Sequence, residues 1–194
     1  CWKFTSSPNS NTIAAGAYTI LLYDITEKKL IKEIDNRGKY CYSICFLDDN
    51  IFAVGNSNGS IGIYNNTMNK FTNKIEEHCL TVRSLAYNKN ANQLYSASDD
   101  LHINIIDATK FKVVSPIVGH NDNISTLVFN EQKGLLFSGS FDGTIKVWDP
   151  RINSKNVATL TEGKGNMIWD MSVSKEGDLI VYTGEENTGA YMLA

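Results

Sequence analysis

Two histidine–aspartate pairs recur at one spacing in this sequence. His78 precedes Asp100 by 22 residues, and His120 precedes Asp142 by the same 22 residues. A carboxylate that orients a histidine, which in turn activates a hydroxyl, is the constellation of a hydrolytic triad. Taken alone, these residue types would predict acyl transfer with histidine as the general base.

The same side chains also fit a structural network. Ser138 and Ser140 precede Asp142, and Trp148 follows it, so an indole N–H, a hydroxyl and an imidazole could form one chain of hydrogen bonds. A catalytic constellation occurs once, whereas this set recurs at a fixed phase. We therefore predict buried scaffolding with no catalytic residue, in a protein that is not an enzyme. Such a network stabilises only if every buried polar member is paired.

The cysteines and histidines do not indicate a cofactor. Cys1, Cys41, Cys45 and Cys79 contain no CxxC pair, and the three histidines complete no zinc pattern. Cys41 and Cys45 would lie about 13 Å apart in an extended strand, too far for a disulfide. We expect the cysteines to be small buried apolar residues, with no metal and no cofactor bound.

The histidine–aspartate pairs belong to a longer repeat, which indicates the elements that position them. The clearest copies are SGSFDGTIKVWD at residues 138–149 and SASDDLHINIID at residues 96–107. Weaker copies occupy residues 14–24, 54–65 and 183–194. Their last residues are separated by 41, 42, 42 and 45 positions. This period, with β-rich runs separated by turns such as Asp-Gly, predicts repeated four-stranded units.

The period and the terminal Trp148 and Asp149 resemble the WD-repeat family, whose units are the blades of an all-β propeller. We predict a single, partial propeller domain over residues 1–194, with about five blades of a seven-bladed ring. The expected blades cover approximately residues 1–35, 36–76, 77–118, 119–161 and 162–194. Since the last blade lacks an outermost strand, we expect about 100 further residues upstream of Cys1.

Four copies depart from the motif of the fourth blade. In the other copies the Trp position is expected to hold Tyr23, Tyr64, Ile106 and Leu193. The Asp position is expected to hold Asn58 and Asn187. The His position is expected to hold Arg37 and Lys164. We therefore predict that blades one, two and five depend on apolar packing between sheets more than on the polar network.

Composition narrows the classes of partner. The formal charge is −3 and the pI about 5.6, so the whole chain has no basic field that would attract phosphate. No apolar run approaches the roughly 18 residues of a membrane span. We expect protein partners, with no direct nucleic-acid contact, no membrane and no small-molecule substrate.

A candidate partner-binding rim follows from the strand phase. The second position of each predicted inner strand holds Trp2, Tyr42, Arg83, Ser125 and Trp169. Tyr, Trp and Arg are the residue types enriched at interface hot spots. Residues at or beside turns that face the same rim would extend the patch: Tyr40, Asp99 and Phe141.

Several segments resemble the WD-repeat subunit family of the superkiller complex, in order and phase. They are residues 1–8, 36–46, 82–87, 95–100 and 168–173. In residues 36–46 an Arg-Gly-Lys-Tyr stretch replaces the usual Gly-His entry. The resemblance implies a scaffold that joins a helical-repeat protein and an RNA helicase for messenger-RNA decay by the exosome. It also implies a role in transcription elongation, and a location in the cytoplasm and the nucleus.

An alternative function comes from the end of the fourth blade. Trp148, Asp149, Pro150 and Arg151 resemble the box of substrate receptors for cullin-4 ubiquitin ligases, in which the arginine contacts the ligase adaptor. The competing interpretation is a solvated arginine after a turn proline.

Overall fold

The computed structural model describes residues 3–152, 156–161 and 166–192. Within them lie nineteen β-strands in five antiparallel sheets, and in each sheet the strands pair in chain order. The first sheet contains β1 (Lys3–Ser6), β2 (Thr12–Gly16), β3 (Thr19–Asp24) and β4 (Lys29–Asp35). The second contains β5 (Cys41–Phe46), β6 (Ile51–Asn56), β7 (Ile61–Asn65) and β8 (Lys70–Ile75).

The other three sheets repeat this meander. The third contains β9 (Val82–Asn88), β10 (Gln93–Ser98), β11 (His102–Asp107) and β12 (Lys112–Val118). The fourth contains β13 (Ile124–Asn130), β14 (Leu135–Ser140), β15 (Thr144–Trp148) and β16 (Asn156–Thr161). The fifth contains β17 (Ile168–Val173), β18 (Leu179–Gly184) and β19 (Thr188–Met192).

The sheets pack face to face around a common centre. The first strands β1, β5, β9, β13 and β17 contact one another in sequence order. Apolar clusters fill each space between neighbouring sheets, so the core is divided among the interfaces. Outer strands alternate exposed and partly buried residues, as β16 does. The chain is therefore all-β and has the architecture of β-propeller blades, as the repeat predicted. A seven-bladed ring remains a prediction.

A β-bulge recurs near the start of the first strand. In sheets two to five the pairing with the second strand skips one residue, namely Tyr42, Arg83, Ser125 and Trp169. A bulge bends the strand and redirects the side chain of its extra residue. The bulge residues are four of the five that the sequence assigned to the partner-binding rim, and the fifth, Trp2, lies outside the described residues.

The last hairpin corrects the predicted alignment of the fifth blade. Ile180 pairs with Tyr191 as Leu136 pairs with Trp148, so Tyr191 occupies the Trp position. The assignment of Leu193 to that position was wrong. Two offsets of one residue add up: the turn is one residue shorter than in the fourth blade, since Thr183 pairs with Thr188 while Gly139 pairs with Ile145, and Thr183 holds the Gly139 position where the predicted copy gave it the Ser138 position. Leu193 itself lies outside the described residues. Alignment from the end of the chain could not detect this shortening.

Candidate functional site

The fourth blade brings His120, Asp142, Ser138 and Trp148 together. His120 Nδ1 lies 2.9 Å from Asp142 Oδ2, and its Nε2 lies 2.7 Å from Ser138 Oγ. The Trp148 indole N–H donates to the same Ser138 Oγ at 2.7 Å. Strand β14 carries the serine and β15 the tryptophan, while the turn between them carries the aspartate. All four side chains are buried or nearly so.

The direction of each bond defines the protonation state. Because the indole must donate to Ser138, the Ser138 hydroxyl is free to donate to Nε2 of a neutral imidazole. The Nδ1–H then donates to Asp142. Burial lowers the pKa of His120, and the neighbouring Asp142 only partly opposes this. Burial raises the pKa of Asp142, but hydrogen bonds from His120 and Thr144 outweigh it and leave the pKa below its usual value.

This geometry is unsuited to nucleophilic attack. Ser138 is 0% exposed, and its oxygen is already engaged by an indole and an imidazole. A triad serine must instead present its oxygen to a substrate beside oxyanion donors. Ser140, the other candidate hydroxyl, donates to the Asp122 carbonyl at 3.0 Å and does not bond the histidine among the described contacts. It accepts the Asp142 N–H and so shapes the turn.

The third blade repeats the arrangement without the indole. His78 Nδ1 lies 2.8 Å from Asp100 Oδ2, and His78 Nε2 lies 2.8 Å from Ser96 Oγ. Asn104 Nδ2 approaches His78 Nε2 at 3.2 Å, while Ile106 is buried at the Trp position. Burial raises the pKa of Asp100, but the hydrogen bonds it accepts, led by His78, lower the pKa to about 2.

The second blade has a polar network that the sequence interpretation missed. Asn36, not Arg37, occupies the His position: it is buried and donates from Nδ2 to Asn56 Oδ1 at 2.8 Å. Asn56 in turn donates to Ser60 Oγ at 3.2 Å, and Ser60 donates to Asn58 at 2.8 Å. The second blade thus has a polar network beside its apolar clusters, and its greater dependence on apolar packing stays a prediction. The signal was present, since Asn36 precedes Asn58 by the same 22 residues.

The rim residues form a continuous strip across four blades. The Arg83 guanidinium lies over the Tyr42 ring at 5.8 Å and the Phe141 ring at 5.4 Å, and it pairs with Asp99. Phe141 meets Trp169 edge to face, with ring centroids 4.8 Å apart. Trp169 is 50% exposed. We call Tyr42, Arg83, Asp99, Phe141 and Trp169 the rim strip.

Two predicted rim residues differ in their environment. The single Ser125 hydroxyl proton is shared between the carbonyls of Ile168 at 2.6 Å and Gly139 at 3.0 Å, so Ser125 joins neighbouring sheets and does not extend the strip. Tyr40 is 51% exposed and packs edge to face against Tyr18, with centroids 5.1 Å apart. Sequence reasoning missed Tyr18, which is also exposed and lies in the turn between β2 and β3.

The sequence also predicted an adaptor contact for Arg151 and burial for the cysteines. Arg151 pairs with Asp149 through both Nε and Nη2, each at 2.7 Å, while its side chain stays exposed. Burial raises the pKa of the Cys41 and Cys45 thiols to about 12. Cys79 is exposed, which corrects the expectation that the cysteines are buried. It lies in the loop before β9, outside every apolar cluster described.

The described ranges contain neither a candidate metal cluster nor a candidate membrane span. Within residues 3–152, 156–161 and 166–192, no group of three or more His, Cys, Asp or Glu could hold a metal ion. In the same part of the chain, no helix has the length and apolar character needed to cross a membrane.

The chain matches one protein-family model over residues 1–180, that of "Nucleolar protein 10-like, N-terminal domain". The WD repeat-containing protein 55 homolog of Dictyostelium discoideum is 28% identical over 131 residues, 66% of this chain and 31% of that protein. Ribosome biogenesis protein YTM1 of Meyerozyma guilliermondii is 26% identical over 197 positions, 93% and 41% respectively. U3 small nucleolar RNA-associated protein 21 of Saccharomyces cerevisiae is 25% identical over 131 residues, 68% and 14% respectively. The chain thus spans less than half the length of each of these relatives.

Proposed function

Because the chain belongs to the nucleolar protein 10-like N-terminal domain family of WD-repeat propellers, we propose that it is a non-catalytic protein-interaction scaffold of a nucleolar assembly. Relatives named for ribosome biogenesis and for association with U3 small nucleolar RNA support an assembly that makes ribosomes. The proposal places the protein in the nucleus. The cytoplasmic location expected from sequence stays a prediction.

The rim strip is the observation that carries the scaffold role. Exposed Trp169 and its neighbours Phe141 and Arg83 are of the types that dominate binding energy at interfaces. Arg83 and Trp169 are bulge residues, Phe141 comes from the turn after β14, and Asp99 pairs with the Arg83 guanidinium, which lies over two rings. A rigid, preorganised surface loses little conformational entropy on binding. Its expected partner is a protein segment with apolar side chains.

The test is to purify tagged protein with the paired change Phe141→Ala and Trp169→Ala, beside unchanged protein. We expect the unchanged chain to retain pre-ribosomal proteins and to localise to the nucleolus, and the rim variant to lose both. Leu30→Ala, which removes an exposed side chain on the outer strand β4, is the control and should retain both. Retention of the same proteins by the rim variant would contradict the proposal.

Membership of an RNA-decay complex is the second candidate. It is supported by the Arg37-Gly38-Lys39 entry, in which Arg37 and Gly38 have φ of 56° and 74°. This left-handed pair gives the second blade an entry loop unlike those of blades three and four. In that case the copurifying proteins would be a helical-repeat protein and a helicase. The same purification distinguishes the two assemblies by the identity of the proteins retained.

The ligase alternative depends on Arg151. Its exposed guanidinium can contact an adaptor only if the ion pair with Asp149 opens, or if the guanidinium donates to a second acceptor while that pair is kept. Arg151→Ala should abolish adaptor capture if the protein is a ligase substrate receptor, and should have no effect on the partners of the rim strip. Equal retention of a cullin-4 adaptor by the unchanged protein and by the Arg151→Ala variant would contradict this alternative.

A further inference from the structure

A cleft with many cations lies between the first two sheets and is lined by none of the rim-strip residues. Two adjoining pockets follow the outer strands β4 and β8 and share Arg37 and Phe71 as lining residues. The positively charged residues of the two pockets are Lys32, Arg37, Lys39, Lys70 and Lys74. We call these five side chains the basic trough.

The trough exists because the second blade is degenerate. Asn36 replaces the larger histidine of blades three and four, and Gly62 stands where β11 and β15 have Asn104 and Lys146. The Phe71 ring lies over Gly62, so close that a Cβ there would be 2.9 Å from Phe71 Cε1. The Phe71 ring takes the space above Gly62, and the cleft beside it is lined by the Asn36, Asn56 and Asn73 amides, this ring and cations.

The local charge of the trough differs from that of the chain. Desolvation by burial, and then the charge of Lys74, lower the pKa of Lys39, although Glu76 partly opposes this. The carboxylate of Asp35 accepts the Arg37 N–H at 2.8 Å, and Glu76 pairs with Lys74. Three carboxylates therefore accompany the five cations: Glu33 and Asp35 line the second pocket, and Glu76 pairs with Lys74. A bound anion would relieve the remaining repulsion.

We propose that the basic trough binds single-stranded RNA. The cations are distributed along two adjoining pockets and do not converge on one point, which suits a chain of phosphates better than a single phosphate. The exposed Arg37 guanidinium lies on the Phe71 ring at 5.3 Å and offers a planar face to a base. Cationic grooves with stacking platforms bind single strands without sequence preference. The expectation of no nucleic-acid contact rested on the net charge of the whole chain, which does not reveal a local excess of positive charge in the trough.

The test measures fluorescence anisotropy of a labelled 12-nucleotide oligouridylate with the full 194-residue chain. We expect binding at low salt, weakened at least 10-fold by the paired change Lys70→Glu and Lys74→Glu. The control is Lys110→Glu with Lys112→Glu, where Lys112 occupies in β12 the register position of Lys70 in β8. This control makes the same charge change and should alter affinity less than 2-fold.

Further measurements distinguish RNA binding from the binding of another anion and from a folding defect in the variants. Losing two phosphate contacts should reduce the slope of log affinity against log salt by about 1.4. Equal unfolding midpoints of the two double variants exclude misfolding as the cause. The proposal is overturned if the unchanged chain does not bind the oligonucleotide, if both double variants lose binding equally, or if a phosphoserine peptide binds the trough while the oligonucleotide does not.

Discussion

Single residues distinguish scaffolding from catalysis in this protein. His120 is buried and neutral, with Nε2 facing Ser138 and Nδ1 facing Asp142. The same bonds occur at His78 with Ser96 in place of Ser138. This repeated and buried set stabilises the hairpin that follows the second strand, because in the third and fourth blades it joins the entry loop to that turn.

Replacing Asp142 with alanine should lower the free energy of unfolding by about 1–3 kcal/mol, since His120 loses its acceptor while still buried. The control is Asn187→Ala, in the shortened and exposed hairpin of the fifth blade, which should cost less than about 0.5 kcal/mol. Urea unfolding measures both. Equal losses at the two positions would contradict the structural role of the network.

Stability should fall on acidification in two steps. The pKa of His120 is lowered by burial from its ordinary 6.5, and the pKa of Asp100 is lowered to about 2. Both groups bind protons more weakly in the folded than in the unfolded protein, so the free energy of unfolding rises with pH across each titration. We expect a decline below about pH 6.5 and a steeper one between about pH 4 and 2.

Urea unfolding at a series of pH values measures this profile. His120→Gln should reduce the first decline and leave the second in place. A protein that becomes more stable between pH 7 and 5 would contradict the assigned protonation state.

Strands and hairpins were predictable where the motif is strong. The copies at residues 96–107 and 138–149 predicted two strands and the turn between them, because alternating apolar residues indicate the strands and Asp indicates the turn. The bulges and the short fifth hairpin were not predictable, since register depends on pairing between strands. Asn36 was missed because an amide was not recognised as a substitute for imidazole, although its spacing was correct.

Close packing between sheets gives a prediction about elements. A Cβ at Gly139 would lie 2.7 Å from Ile168 Cγ2 and 2.9 Å from Thr126 Cγ2, so Gly139→Ala should destabilise by about 1–3 kcal/mol. The third blade tolerates Ala97 at the equivalent register, opposite Ser84. Adding Thr126→Ser removes one clash and should restore part of the stability in thermal unfolding. No cost from Gly139→Ala would show that the interface is loosely packed.

At the scale of the molecule, the blades combine side chains that no single blade could bring together. The rim strip draws Tyr42, Arg83, Phe141 and Trp169 from four successive sheets. The sequence predicted Tyr42, Arg83 and Trp169 from strand phase and Phe141 from its place beside a turn. It did not predict that Arg83 connects the rings or that Ser125 bonds the Ile168 carbonyl. The basic trough, in contrast, arises within one degenerate blade and its neighbour.

The most direct test of this division compares partner retention with stability in two variants of the same chain. Phe141→Ala with Trp169→Ala should reduce retention of copurifying proteins at least 10-fold, which is about 1.4 kcal/mol, and leave the unfolding midpoint nearly unchanged. Asp142→Ala should lower that midpoint by roughly 2–12 °C yet retain partners well below it. The division between a binding rim strip and a structural network is contradicted by either of two results. One is a rim variant with a lowered unfolding midpoint that keeps its partners, and the other is an Asp142→Ala variant that loses its partners while fully folded.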